Sequence, residues 1–359
     1  MRRDPIARVD RCLTRTRIVL RRGLRVALIA LPLTGALAQE PSPTSREPRL
    51  WVARNANARV FIFGFGEAKD TSWLTPTIRR AFDQSSQLWL ETAGSAPPST
   101  QTPAEREAAA ERMKRLAHES GRTFFDVLEP PVRRRTLTWL AELGIKRDSV
   151  ETLRPWRAFS VLVSAFWSTR HMSYTPVDVD AVLLEMAQAA GKRVEYEMPT
   201  REAFATFMAV MPDRAQSQYI DWLLDFLDDY GKGRNDSTEA FSWITGNPGQ
   251  GPMRSLDRMR TKTPELYQIM QPQRNSWWAR KAYELLATGG THFIAIGQLH
   301  VLGSDGVPRQ LERLGVQVES RPCPSCGAPR LSDDHAPVAG PRNESRSRTR
   351  VSPGHAWRP

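Results

Sequence analysis

The chain has 359 residues, 40% of them hydrophobic, with a formal net charge of +12, and its length suffices for one large domain with a substantial core. The excess positive charge sits at the two ends: residues 1–38 carry nine arginines and two aspartates, and residues 320–359 carry seven arginines and three acidic residues. The body between them is nearly neutral at +1, which argues against a nucleic-acid-binding domain, because phosphate recognition needs a concentrated basic face.

Residues 1–38 have the three parts of a secretory signal: a basic region through Arg25, an apolar stretch Val26 to Leu33, and Ala36-Leu37-Ala38 as a small-residue cleavage site. The apolar stretch is too short to span a bilayer. The expectation is an exported protein, periplasmic or secreted, with no stable membrane insertion after cleavage. Residues 39–49 read as a linker and residues 50–320 as the folded domain.

Val60 to Phe63 is an apolar run of strand length, followed by Gly64, Gly66 and a polar residue, Glu67. A helix pattern follows at Leu74 to Phe82, with Thr75 as cap and Pro76 in the first turn, and then a strand Leu-Trp-Leu-Glu-Thr that presents Glu91. The middle of the domain reads mainly helical. Ala104 to His118 is rich in helix formers, Trp156 to Trp167 is apolar nearly all round as in a buried helix, and Asp178 to Ala190 ends at Gly191. In residues 214–230 the apolar side chains recur at helical spacing, and Asp221, Asp225, Asp228 and Asp229 read as a solvated polar face rather than a metal cluster.

Phe293 to Ile296 is a second apolar strand, and Gly297 lets the backbone turn before His300. Ligands of open α/β sheets bind at the carboxyl ends of strands, so His300 is better placed to act than to pack. His292, at the opposite end of that strand, reads as structural, and Trp277 and Trp278 read as core. Glu67, Glu91 and His300 then form a candidate ligand set, two carboxylates and one imidazole, that suits a divalent ion such as manganese, cobalt or zinc. Glu91 would be costly to bury unpaired, and the alternative to a metal as its cation is a structural salt bridge with Arg274. Asp305, in a turn before Gly306, is either a partner that orients His300 or a turn residue.

The near-symmetry of the two strand-Gly segments predicts that the first and last parts of the domain meet in one sheet. The fold class that follows is α/β: a mixed central sheet flanked by helices, in a single large domain with a helix-rich middle. From residue 321 the composition turns to Pro, Ser, Arg, Gly and Asp without apolar periodicity, which predicts a disordered tail over 321–359. Cys323 and Cys326 lie there and read as a local disulfide or a pair without a role, since one C-x-x-C lacks the second pair of a structural zinc site.

Seven short motifs, in this order, resemble the TraB/GumN family, which includes the Tiki-type metalloproteases: Gly64 to Glu67, Trp73 to Pro76, Leu88 to Glu91, Leu153 to Trp156, Val179 to Lys192, Arg274 to Arg280, and Gly297 to His300 with the Gly303–Gly306 turn. The family's pattern has histidine where Glu67 stands. The resemblance implies Glu197 as a site residue, the nearest counterpart of a family glutamate. It also marks Arg274, for which two roles are open: steadying an oxyanion or orienting Glu91. The implied function is a metal-dependent, peptidase-like hydrolase acting on peptide or protein, in which Glu91 or Glu67 accepts the proton of an ion-bound water and Arg274 steadies the oxyanion. The alternative is a non-catalytic envelope binding or regulatory protein that kept the fold and lost turnover when glutamate replaced histidine at position 67.

Overall fold

A computed structural model describes residues 47–93, 102–169, 177–231, 242–246 and 250–321. The expected signal at 1–38, most of the linker, and the tail beyond Arg321 with Cys323 and Cys326 lie outside the described residues. Among the described residues no helix is long and apolar enough to cross a membrane.

Six strands form one sheet: β1 (Leu50–Arg54), β2 (Ala58–Phe65), β3 (Gln87–Thr92), β4 (Arg193–Met198), β5 (Gly290–Gly297) and β6 (Gln317–Arg321), in the order β4-β3-β5-β2-β1-β6. The strands β4, β3, β5 and β2 run parallel, whereas β1 is antiparallel to both β2 and β6. The sheet is therefore mixed, as expected. The two strand-Gly segments pair directly, with Phe61 opposite Phe293 and Phe65 opposite Gly297.

Side chains alternate across a strand, and here both faces must be apolar because helices cover both. Val60, Ile62, Ile294 and Ile296 pack on one face against the helices Gln250–Lys262, Arg274–Thr288 and Val307–Arg313. Phe61, Phe63, Phe293 and Ala295 pack on the other against Pro76–Gln84 and Val179–Ala189. Thr75 caps the first of those helices by accepting from the Ile78 amide, and Pro76 opens it.

The helix-rich middle forms its own apolar clusters, chiefly from Phe124–Val127, Pro130–Glu142, Pro155–Thr169 and Asp213–Gly231. Helix Pro155–Thr169 buries one side fully, through Trp156, Ala158, Leu162 and Phe166, while Phe159, Val161 and Trp167 are only partly covered. Its all-round apolar composition therefore overstates its burial.

The acidic set of helix Asp213–Gly231 differs from expectation. Arg135 bonds Asp221, Asp225 at 2.8 Å and Asp228 at 2.9 Å, Lys262 reaches Asp225 at 2.6 Å, and Arg258 pairs with Asp229. The polar face is a salt-bridged seam against two other helices rather than a face open to solvent. A charged stripe has the same sequence period whether water or a basic neighbour covers it.

Candidate functional site

The parallel strands bring their carboxyl ends to one edge of the sheet, and the site residues arrive there from remote segments. Glu91 stands near the end of β3, Glu197 near the end of β4, and the 3-10 turn Gln298–Val301 that carries His300 follows β5. Arg274, the first residue of its helix, reaches across to the two carboxylates. Its Nε donates to Glu197 Oε1 at 2.9 Å, and its Nη2 donates to Glu197 Oε2 at 2.5 Å and to Glu91 Oε2 at 2.7 Å. Trp278 Nε1 adds a bond to Glu197 Oε2 at 3.1 Å. The structure thus brings Glu91, Glu197, Arg274 and His300 together.

Glu91 is anchored from three sides. Its Oε1 accepts the backbone amide of Gly297, and its Oε2 lies 2.7 Å from Arg274 Nη2 and 3.5 Å from His300 Nε2. Burial pushes its carboxyl up, but the charges of His300 and Arg274 and the Gly297 amide outweigh it and hold the group well below the usual carboxylate range. The Arg274 guanidinium is displaced the other way: burial opposes its charge, and Glu197 and Glu91 more than restore it. The role of Gly297 is spatial rather than conformational. Its φ is an ordinary −55°, and a Cβ there would sit 3.1 Å from Glu91 Oε1.

His300 is 5% exposed, and its orientation follows from its second neighbour. Asn275 Nδ2 donates to the Asp305 carbonyl at 2.8 Å, so the atom that Asn275 turns toward His300 Nδ1, at 2.6 Å, is its oxygen. Nδ1 therefore carries a hydrogen, and Nε2 faces Glu91. Asp305 takes part through its carbonyl, while its carboxylate accepts from Tyr267 Oη at 2.8 Å, which together with burial pushes that phenol up to about 12. Asn275 went unread in the sequence; its place next to Arg274 was the available signal. His292 is structural, held by Gln87 and by the Gly289 carbonyl.

A cavity of about 340 Å³ opens against this cluster. Phe65, Tyr219, Trp222, Met259, Leu266 and Met270 form its apolar walls, and Glu91, Arg274, His300, Gln271 and Gln298 its polar part. Glu67 does not line it. That residue is exposed, and its backbone carbonyl accepts from Trp243 Nε1 at 2.7 Å. A second cleft of about 280 Å³, between Arg54, Arg59 and Arg80, shares no residue with the first.

Another carboxyl near Glu91 behaves in the opposite way. Asp180, in helix Val179–Ala189, has a buried Oδ1 without a hydrogen-bond partner among the described residues. Burial first, then the negative charges of Glu91 and Asp178, push it up to about 8.

The donor set is the test for a divalent ion. Glu91 Oε2 and His300 Nε2 are spaced at 3.5 Å, close to the ~3.4 Å between neighbouring ligands of a tetrahedral zinc. The third expected ligand, Glu67, does not line the cavity they share, and a catalytic zinc keeps three protein ligands. Among the described residues no group of three or more His, Cys, Asp and Glu side chains is arranged to hold a metal ion. As arranged, the three-residue set does not fit the ion.

No curated protein and no solved structure matches the chain. The model of one family does, over residues 49–320, a span that holds the cluster, the cavity and all of the sheet but its last residue, and the chain therefore belongs to the TraB/PrgY/gumN family.

Proposed function

We propose that this is an exported hydrolase of peptide bonds, with the Glu91–His300 pair as its water-activating end. One observation carries the reading: Glu91 Oε2 and His300 Nε2 face each other across 3.5 Å at the wall of a cavity. In the neutral form of the ring both atoms accept, and the pair then holds a water molecule by hydrogen bonds to both. His300 Nε2 accepts the proton as that water attacks a carbonyl carbon, and the ionised Glu91 stabilises the imidazolium that forms; the imidazolium returns the proton to the amide nitrogen as the C–N bond breaks, leaving a carboxylic acid and a free amine. Asn275 keeps Nδ1 protonated and the ring oriented. Arg274 is committed through Nε and Nη2 to the carboxylates, which favours the orienting role; its Nη1 makes no hydrogen bond with a described residue and remains for the carbonyl oxygen. The proposed steps run on these side chains alone, and metal dependence would need a ligand that Glu67 does not supply in this arrangement.

Cleavage of a peptide panel by the protein and by His300→Ala tests this. The unmutated chain should cleave, and loss of His300 should lower the rate by a hundredfold or more, within the usual contribution of a general base. Equal rates would refute the assignment. The export reading is checked separately by N-terminal sequencing of protein from the cell envelope, where Gln39 is the expected first residue.

A second reading, a binding or regulatory protein without turnover, is favoured by the position of Glu67 outside the cavity and by the closed pairing of Glu91, Arg274 and Glu197. Binding without cleavage in that panel would select it.

A further inference from the structure

Two glutamines on the cavity wall take no part in the cluster. Gln271 is 5% exposed and Gln298 half-buried, and each has a buried side-chain amide oxygen with no hydrogen-bond partner among the described residues. Leaving such an oxygen unpaired is destabilising, and an apolar side chain of similar volume would pack there without that cost. Gln271 lies in a π-helical turn, Ile269–Gln273, that contains Pro272 and leads straight into Arg274. Such turns are rare and concentrate at functional sites. Gln298 stands two residues before His300, and its side chain passes so close to the β2 exit that a Cβ on Gly66 would meet its Nε2 at 2.6 Å.

We infer that Gln271 and Gln298 are substrate-positioning residues, and that the group they hold is a secondary amide next to an apolar side chain. A carboxamide offers a donor and an acceptor in one plane, and it can exchange their places by rotating its last torsion. The ligand group that offers the reverse pair is another amide. Around the glutamines the wall is aromatic and methionine-rich, which suits an apolar side chain of varied shape. A charged group is less suited: Glu91 and Glu197 already hold the Arg274 charge, and no other cationic side chain lines the cavity apart from the His300 ring. The inference rests on the cavity being the substrate site, and it names the part of the substrate that is read.

The probe is N-acetyl-leucine methylamide, compared with the matching methyl ester, which lacks one N–H, and with free N-acetyl-leucine. Binding is followed by calorimetry on the protein and on Gln271→Met and Gln298→Met. The methylamide should bind the unmutated protein, and each substitution should weaken it about tenfold, the usual scale of one hydrogen bond to a buried group. The ester should bind about tenfold less tightly than the amide to the unmutated protein, and the difference should vanish in the double variant. Melting temperatures of the variants should be equal or higher, since the unpaired oxygens are gone; should one variant fail to fold, the other carries the comparison. Absence of methylamide binding, equal affinities in all variants, or tighter binding of the free acid would overturn the inference. Binding that depends on the glutamines without any cleavage would sink the hydrolase reading and leave this one standing; cleavage indifferent to both glutamines would do the reverse.

Discussion

Two arginine–carboxylate networks in this protein use the same chemistry in different solvents. At the edge of the sheet Arg274, 9% exposed, holds Glu91 and Glu197; among the helices Arg135, 30% exposed, holds Asp221, Asp225 and Asp228. The first network has exchanged most of its hydration for partners, so each group depends on the others. The second stays partly exposed and has a second cation, Lys262, on Asp221 and Asp225. Burial, more than the number of ion pairs, should decide which network the fold depends on.

The sharpest contrast is a pair of substitutions. Arg274→Met leaves two carboxylates without their common cation and should cost about 3–5 kcal/mol in denaturant unfolding. Arg135→Met leaves Asp221 and Asp225 with Lys262 and Asp228 with Trp139 Nε1 and solvent, and should cost about 1 kcal/mol. Similar losses in the two variants would break the comparison.

Acid should separate the networks next. Glu91 is held below the usual carboxylate range in the folded state, so its contribution is fully present above the unfolded-state value and is lost as pH falls through and below that range. Glu91→Gln should flatten the acid limb of the stability–pH profile, whereas Asp228→Asn should change it little. An unchanged acid limb in Glu91→Gln would show that the carboxylate is not held ionised by its neighbours.

Asp180 supplies the opposite sign beside the same cluster. Its folded value of about 8 lies above the ordinary carboxylate value, so the folded state binds the extra proton. Stability is greatest below the unfolded-state value and falls as pH rises from there to about 8. Asp180→Asn should remove that slope and raise the melting temperature at pH 8 by a few degrees. A lower melting temperature at that pH would mean that Asp180 is paired as an anion.

The smallest expected effect concerns position 67. With Glu67 outside the cavity, Glu67→Ala should leave the melting temperature within about a degree, with or without added manganese, cobalt or zinc. Glu67→His places the family's residue at that position. A metal-dependent thermal shift that appears only in that variant would locate the loss of metal in one substitution; a shift in the unmutated protein that Glu67→Ala abolishes would show that Glu67 does reach the site.

Much of the frame was legible along the chain. The apolar runs Val60 to Phe63 and Phe293 to Ile296 predicted strands β2 and β5 and their meeting in one sheet, because a four-residue apolar run bounded by glycine has few other uses. Thr75-Pro76 marked a helix start almost to the residue, since capping is a local matter. The antiparallel strands β1 and β6 were not legible, and β6 runs through Arg321, where the sequence predicted the tail to begin. Strands of five residues owe their form to the neighbours they pair with.

At the site, the residue types could be named from sequence: Glu91, Arg274, His300 and, through family resemblance, Glu197. Composition and periodicity determine which residues reach a strand end, because alternation and helical repeat are properties of the local chain. They do not determine which strand ends are neighbours. The strand order β4-β3-β5-β2 brings Glu197, Glu91 and His300 together with one arginine, whereas Glu67, two residues past the end of β2, is exposed although β2 neighbours β5. Nor does the local chain show that Asn275 turns His300, or that Gln271 and Gln298 share a cavity, since hydrogen-bond partners are chosen by distance in space. Those assignments belong to the tertiary structure, where packing of remote segments decides whether each buried polar group is satisfied or left open.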